Sequence, residues 1–225
     1  MSPLRATLEA NLKNIQSRIH EACEKAHRDP ATVELLPATK GHPPSTLLCL
    51  YEMGFRRFGE NYVQEMQKKA DALRHLPHIQ WVYMGRLQSN KLIHLVTVSN
   101  EVLALESISH AKRLAQCTSN PLKVWIAVNG GGEAQKTGLP WEEVAPFYTA
   151  LQAWPILQVQ GIFSLPPAAL PEKEQAELYE KLGTLASTIG EKKLSLGMSQ
   201  DLETAILAGS TMVRVGTALL GPRTL

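Results

Sequence analysis

Cysteine is scarce in this chain: three occur in 225 residues, at Cys23, Cys49 and Cys117. Their number is odd, their spacing wide and no Cys-x-x-Cys occurs, which argues against a disulfide framework or a cysteine zinc site and fits reduced thiols in a cytoplasmic protein. Charge of one sign is equally lacking. A formal net charge of +2, with 20% charged and 44% hydrophobic residues, indicates neither a disordered chain nor a strongly basic nucleic-acid binder. The partner to expect is a small molecule or a protein. No apolar run approaches the roughly 18 residues of a membrane span, and the N-terminus does not read as a signal peptide. The seven histidines show no His-Glu-x-x-His, and Ser, His and Asp form no recognisable nucleophilic set, so no metal is expected.

What is present is alternation. Leu4, Leu8, Leu12, Ile15 and Ile19 recur every three or four residues among charged neighbours, the spacing of an amphipathic helix. After it, eight short β-rich runs are predicted at 34–38, 56–59, 80–84, 95–98, 123–128, 157–163, 194–196 and 211–215. Between them lie helical patterns at 44–53, 62–73, 89–95, 107–118, 141–153, 171–188 and 201–208. Such βαβ units build a parallel sheet covered by helices, and eight of them imply a compact (β/α)8 TIM barrel preceded by an extra helix. The rival, an open doubly wound sheet, would be favoured by a Gly-x-Gly-x-x-Gly after the first strand, and Ala38-Thr-Lys-Gly-His-Pro-Pro lacks one. With no composition break or long linker, residues 1–225 read as one domain.

A barrel does its chemistry in the loops that follow its strands. The run Val33-Glu-Leu-Leu-Pro-Ala-Thr-Lys40 ends in a lysine, and Thr211-Met-Val-Arg-Val-Gly-Thr217 ends in a turn that frees backbone N–H groups beside a hydroxyl. The turn can hold a phosphate. An amine facing a phosphate cradle across a barrel mouth is the arrangement that pyridoxal 5'-phosphate (PLP) needs, provided burial depresses the lysine pKa. By position alone Lys40 also reads as a surface lysine. Ser199, in the loop before the last strand, joins Gly216 and Thr217 where barrels often bind phosphate, and Asp201 reads as a helix cap beside it. Arg214 is placed to turn inward, where it needs a partner: a pyridine nitrogen or an acidic neighbour. Asn61 can bond a cofactor oxygen or cap the next helix, and Glu60 is expected on the rim, paired with Arg56 or Arg57. The glycine run 130–132 lacks the Lys-Ser/Thr of a nucleotide P-loop and reads as a mobile loop, with Lys136 a spare amine beyond it.

Four strings carry a resemblance that spans almost the whole chain: Phe58-Gly-Glu-Asn-Tyr-Val-Gln-Glu65, Gly85-Arg-Leu-Gln-Ser-Asn-Lys91, Leu194-Ser-Leu-Gly-Met-Ser-Gln-Asp201 and Gly209-Ser-Thr-Met-Val-Arg-Val-Gly-Thr-Ala218. In type and order they resemble the pyridoxal phosphate homeostasis protein family. The resemblance implies a monomeric barrel related to the N-terminal domain of alanine racemase, with PLP held as an internal aldimine. Carried over by motif, Lys40 is the Schiff-base lysine, Arg214 the partner of the pyridine nitrogen, and Ser199, Gly216 and Thr217 the phosphate binders. Asn61 and Met84 line the pocket. One departure is visible: where the family usually reads Val-Ser-Lys-Thr-Lys, this chain has Ala38-Thr-Lys-Gly-His42, so Lys40 is the only candidate amine there.

The function implied is vitamin B6 homeostasis and amino-acid/keto-acid balance: PLP is held reversibly, without robust catalysis, with apo-PLP enzymes or a regulatory protein as partners. An amino-acid racemase is the enzymatic alternative, and it needs acid/base groups on both faces of the substrate carbon. The chain ends shortly after the eighth strand, so no second domain is expected to supply a tyrosine base. A PLP-responsive interaction module is the third reading.

Overall fold

The computed structural model describes residues 2–131, 137–167, 170–190 and 193–223. Helix α1 (Pro3–Lys25) starts where Ser2 accepts a hydrogen bond from the Arg5 N–H and proline occupies the first turn, a favourable N-terminus. Its apolar stripe is buried at Leu8, Ile15, Ile19, Ala22 and Cys23. Leu4, from the same stripe, stays exposed in the first turn.

Eight strands follow: β1 (Glu34–Pro37), β2 (Arg57–Glu60), β3 (Gln80–Tyr83), β4 (Ser99–Leu105), β5 (Leu122–Val128), β6 (Leu157–Ser164), β7 (Lys193–Ser195) and β8 (Met212–Val215). The helices between and after them are α2 (Pro44–Glu52), α3 (Val63–Ala72), α4 (Leu92–Leu95), α5 (Ile108–Cys117), α6 (Val144–Leu151), α7 (Glu172–Thr188), α8 (Leu202–Leu207) and α9 (Thr217–Leu220). All strand pairs are parallel, in the order β1-β8-β7-β6-β5-β4-β3-β2. The remaining seam, between β1 and β2, is drawn together just past the strand ends by the Ala38–Gly59 bridge, where the Thr39 N–H donates to the Gly59 carbonyl at 2.8 Å. The result is the expected (β/α)8 barrel.

Side chains alternate across each strand with period two. On β8, Met212 points into the lumen with Leu36, Val82, Leu103, Trp125 and Phe163, while Val213 and Val215 join the larger core between strands and helices. Arg214 shares the inward parity of Met212, which is how a guanidinium comes to sit 4% exposed inside the barrel.

One predicted strand is misplaced. Residues 95–98 read as β-rich through Val-Thr-Val, yet Val96 N–H still bonds the Leu92 carbonyl and Thr97 Oγ1 bonds the His94 carbonyl, so this segment ends α4. The strand begins at the polar residues that follow. There Asn100 Oδ1 accepts the Trp81 N–H, and Ser99 Oγ bonds the Glu101 carbonyl, side chains substituting for ladder bonds where the register with β3 shifts. The predicted Gly216-Thr217 turn runs on into α9, which stops at Gly221, whose φ of 79° and following proline end it. Of the glycine run, Gly132 lies outside the described residues, as does Lys136. Among the described residues, no helix is long and apolar enough to cross a membrane.

Candidate functional site

The carboxyl ends of the strands open on a cavity of about 580 Å³. Each of the seven residues expected at a site lines it: Lys40, Asn61, Met84, Ser199, Arg214, Gly216 and Thr217. They come from the loops after β1, β2, β3, β7 and β8 and, for Arg214, from within β8, so the barrel assembles what the sequence scatters.

Lys40 is half-buried at the end of β1, not on the outer surface. Burial lowers its pKa, the nearby Arg223 and Arg214 guanidiniums lower it further, and Glu60 and Glu65 oppose them. The loop that carries it is pinned on both sides. Lys69 of α3, itself 2% exposed, donates to the Thr39 carbonyl at 2.7 Å, to Glu60 Oε1 at 2.6 Å and to Glu65 Oε1 at 2.7 Å. Glu65 Oε1 also accepts the Gly41 N–H at 2.6 Å, and Thr39 Oγ1 donates to Glu60 Oε1 at 2.6 Å. Glu60 is therefore not a rim residue: it is wholly buried and pairs with Lys69, burial pushing its carboxyl pKa up while Lys69 opposes the shift. Arg57 points toward the other end of the barrel, where it bonds Glu34 and Glu101. Arg56 stacks over the Tyr51 ring at 3.8 Å. Glu65 and Lys69 escaped the sequence reading of the site, although their i,i+4 spacing on a helix was a legible pair signal.

Arg214 forms no ion pair among the described residues, the Asp201 carboxylate acting on it only at longer range. Nη1 donates to the Ser195 carbonyl and to Ser195 Oγ, both at 2.6 Å, and Nη2 to the Ser164 carbonyl at 3.0 Å; the group lies over the Phe163 ring at 4.7 Å. Burial lowers its pKa to about 10, which leaves it charged at neutral pH. Three bonds use three of its five N–H donors, so hydrogen-bonding capacity remains on a group that lines the cavity.

Asn61 does not cap α3. The cap position belongs to Tyr62, which makes no side-chain cap bond, and Asn61 Oδ1 is buried with no hydrogen-bond partner among the described residues. Its backbone is held by a close approach: a Cβ on Gly85 would fall 2.1 Å from the Asn61 carbonyl oxygen, so glycine is required there. Asp201 also departs from expectation. Its carboxylate takes the Met198 N–H at 2.6 Å and the Tyr179 hydroxyl and makes no cap bond to α8; Tyr179 lies too far away in the sequence to have been found there. Gly197, at φ 86°, turns the chain into this loop.

Ser199 and the start of α9 lie side by side at one end of the cavity, with the Ala218 N–H donating to Ser199 Oγ at 3.4 Å. The first N–H groups of a helix have no acceptor within it. This end of the cavity thus offers a serine and a threonine hydroxyl beside backbone N–H groups, which suits a phosphate. The opposite side offers a depressed amine. His42, buried at 3% exposure, and Arg223 line the cavity beside Lys40 and were not anticipated. Among the described residues no cluster of His, Cys, Asp and Glu could hold a metal.

Residues 6–224 match the family model for the N-terminal domain of alanine racemase. A pyridoxal phosphate homeostasis protein from Pseudomonas aeruginosa is 36% identical over 223 residues, covering 97% of this chain and 96% of the relative. The chain belongs to the pyridoxal phosphate homeostasis protein family. Its fold agrees. A protein of unknown function from Bifidobacterium adolescentis superposes with a TM-score of 0.90 at 27% identity, covering 97% of each chain. PipY of Synechococcus elongatus, solved with PLP bound, superposes with a TM-score of 0.81 at 28% identity, covering 92% of this chain and all of PipY.

Proposed function

We propose that this family member is a PLP-holding protein of vitamin B6 homeostasis, one barrel domain that carries the cofactor on Lys40 and lacks robust catalytic activity. The observation that carries the reading is the cavity itself, where a half-buried lysine with a lowered pKa stands opposite a Ser199, Gly216 and Thr217 cup. The cofactor-bound structure of PipY supports it. When bound, PLP supplies an aldehyde for the amine and a ring that withdraws electrons. Lys40 is the attacking amine, made available by burial and by the cationic neighbours that disfavour its protonated form. Asn61 lines the cavity and its buried amide oxygen has no partner among the described residues; its amide hydrogens suit the cofactor's phenolic oxygen. Met84 forms an apolar wall.

Arg214, assigned to the cofactor's pyridine nitrogen, favours holding over catalysis. A cation donating to the pyridine nitrogen would keep that nitrogen unprotonated, which would weaken the ring as an electron sink and disfavour carbanion chemistry. The proposal includes reversible holding by a monomer, with apo-PLP enzymes or a regulatory protein as the recipient. Titration of the purified protein with PLP is expected to give a saturable visible absorption band that Lys40→Ala loses, with no stereospecific turnover of amino acids. No band would overturn the reading. Stereospecific turnover would return the protein to the racemase class.

A further inference from the structure

The extra helix α1 lies outside the barrel, yet its polar face reaches both segments of the cup. Arg18 forks the Glu203 carboxylate in α8 through Nε and Nη2, the latter at 2.8 Å, and Nη2 also donates to the Ser199 carbonyl at 3.0 Å. Two helical turns earlier, Asn11 Nδ2 donates to the Leu219 carbonyl of α9 at 2.9 Å. Residues seven apart share a helix face, so one face of α1 grips the loop after β7 and the helix after β8 together. Between the grips, Ser199 Oγ and the Ala218 N–H meet at 3.4 Å. The burial of Leu8, Ile15, Ile19 and Ala22 fixes α1 in place from beneath, which makes it a rigid reference for both segments.

We infer that α1 is a clamp on the phosphate end of the cavity, in which Arg18 and Asn11 are positioning residues that hold the Ser199 loop and α9 at the separation a phosphate monoester requires. This rests on the proposed PLP site. Hydrogen bonds to an anion weaken steeply once their donors are misplaced, so losing a grip costs affinity for the phosphorylated ligand and spares the ring and amine contacts on the far side. The Ser199 loop keeps a second tether, Asp201 to the Met198 N–H and Tyr179, so removing Arg18 loosens the loop without releasing it.

The test compares PLP with pyridoxal, which has the same ring and aldehyde but no phosphate, on the full chain. Arg18→Met, which keeps the packed stem, is expected to weaken PLP about tenfold through misplaced phosphate donors, while pyridoxal affinity stays unchanged. Asn11→Ala is expected to act in the same direction with a smaller loss, and it decides the matter if Arg18→Met does not fold. Equal losses for both ligands would overturn the clamp and leave α1 a general support of the barrel, and unchanged PLP affinity in both variants would overturn it as well. The wild-type protein separates this from the underlying reading: if it binds PLP no more tightly than pyridoxal, or inorganic phosphate does not compete, the phosphate cup itself fails first.

Discussion

Lys40 must be neutral to attack an aldehyde, and its surroundings act on that requirement directly. Burial, Arg223 and Arg214 lower its pKa from the ordinary lysine value of 10.5 against the opposing pull of Glu60 and Glu65. A lowered pKa enlarges the neutral fraction at any pH below it, so the rate of PLP uptake should rise with pH through a midpoint below 10.5. Arg223→Ala removes the largest cationic contribution, moving the midpoint up and slowing uptake at neutral pH. Stopped-flow absorbance across a pH series reads both effects. At Gly197, where φ is 86° and a Cβ would meet the Ala205 Cβ at 2.6 Å, alanine should cost about 1–3 kcal/mol through strain and crowding, measured by chemical denaturation. Lys40, Arg214 and the Gly216-Thr217 turn were legible as residues because each sits at or beside the end of an apolar run, where a polar group has a short list of uses. The burial of Glu60 was not legible, since a glutamate in a turn reads the same whether or not a lysine from the next helix comes down on it.

Helix α3 holds the Lys40 loop through an ammonium shared among Thr39, Glu60 and Glu65. Lys69→Met leaves Glu60 buried without its counter-charge, and removing one partner of a buried pair typically costs about 3–5 kcal/mol. Urea denaturation should show that loss, and Glu60→Gln on the same background should restore part of it; no loss in Lys69→Met would mean the pair does not hold the loop. At this scale the sequence reading was right about order and less so about boundaries. Helix and strand alternate as the hydrophobic periods predict, but β4 was placed several residues early because Val96-Thr97-Val98 has strand-forming residues in a helical end. The strand itself opens with Ser99 and Asn100, polar side chains that serve as ladder partners. That substitution follows from β3 lying alongside, which a local pattern does not encode.

The whole molecule is a barrel whose seams differ. Seven are strand pairs, and the eighth is drawn together by the Ala38–Gly59 bridge and by the Thr39 N–H and hydroxyl on the Gly59 carbonyl, directly beside Lys40. Closure of the barrel and placement of the amine are therefore the same structural event. The architecture was legible from eight βαβ repeats, since parallel strands with right-handed crossovers leave few alternatives. The convergence of the candidate site was legible only through that architecture: Lys40 and Thr217 are far apart in the chain and become neighbours of one cavity because all strands point the same way. His42, Tyr179 and Arg223 had no such signal, being ordinary residues until the loops are folded over the barrel mouth.

The central claim is that PLP is carried on Lys40. Borohydride reduction of the protein mixed with PLP, followed by proteolysis and mass mapping of the modified peptide, tests it most directly. One modified site is expected, Lys40, and none in Lys40→Ala. Modification spread over surface lysines, or the same yield in the variant, would contradict it.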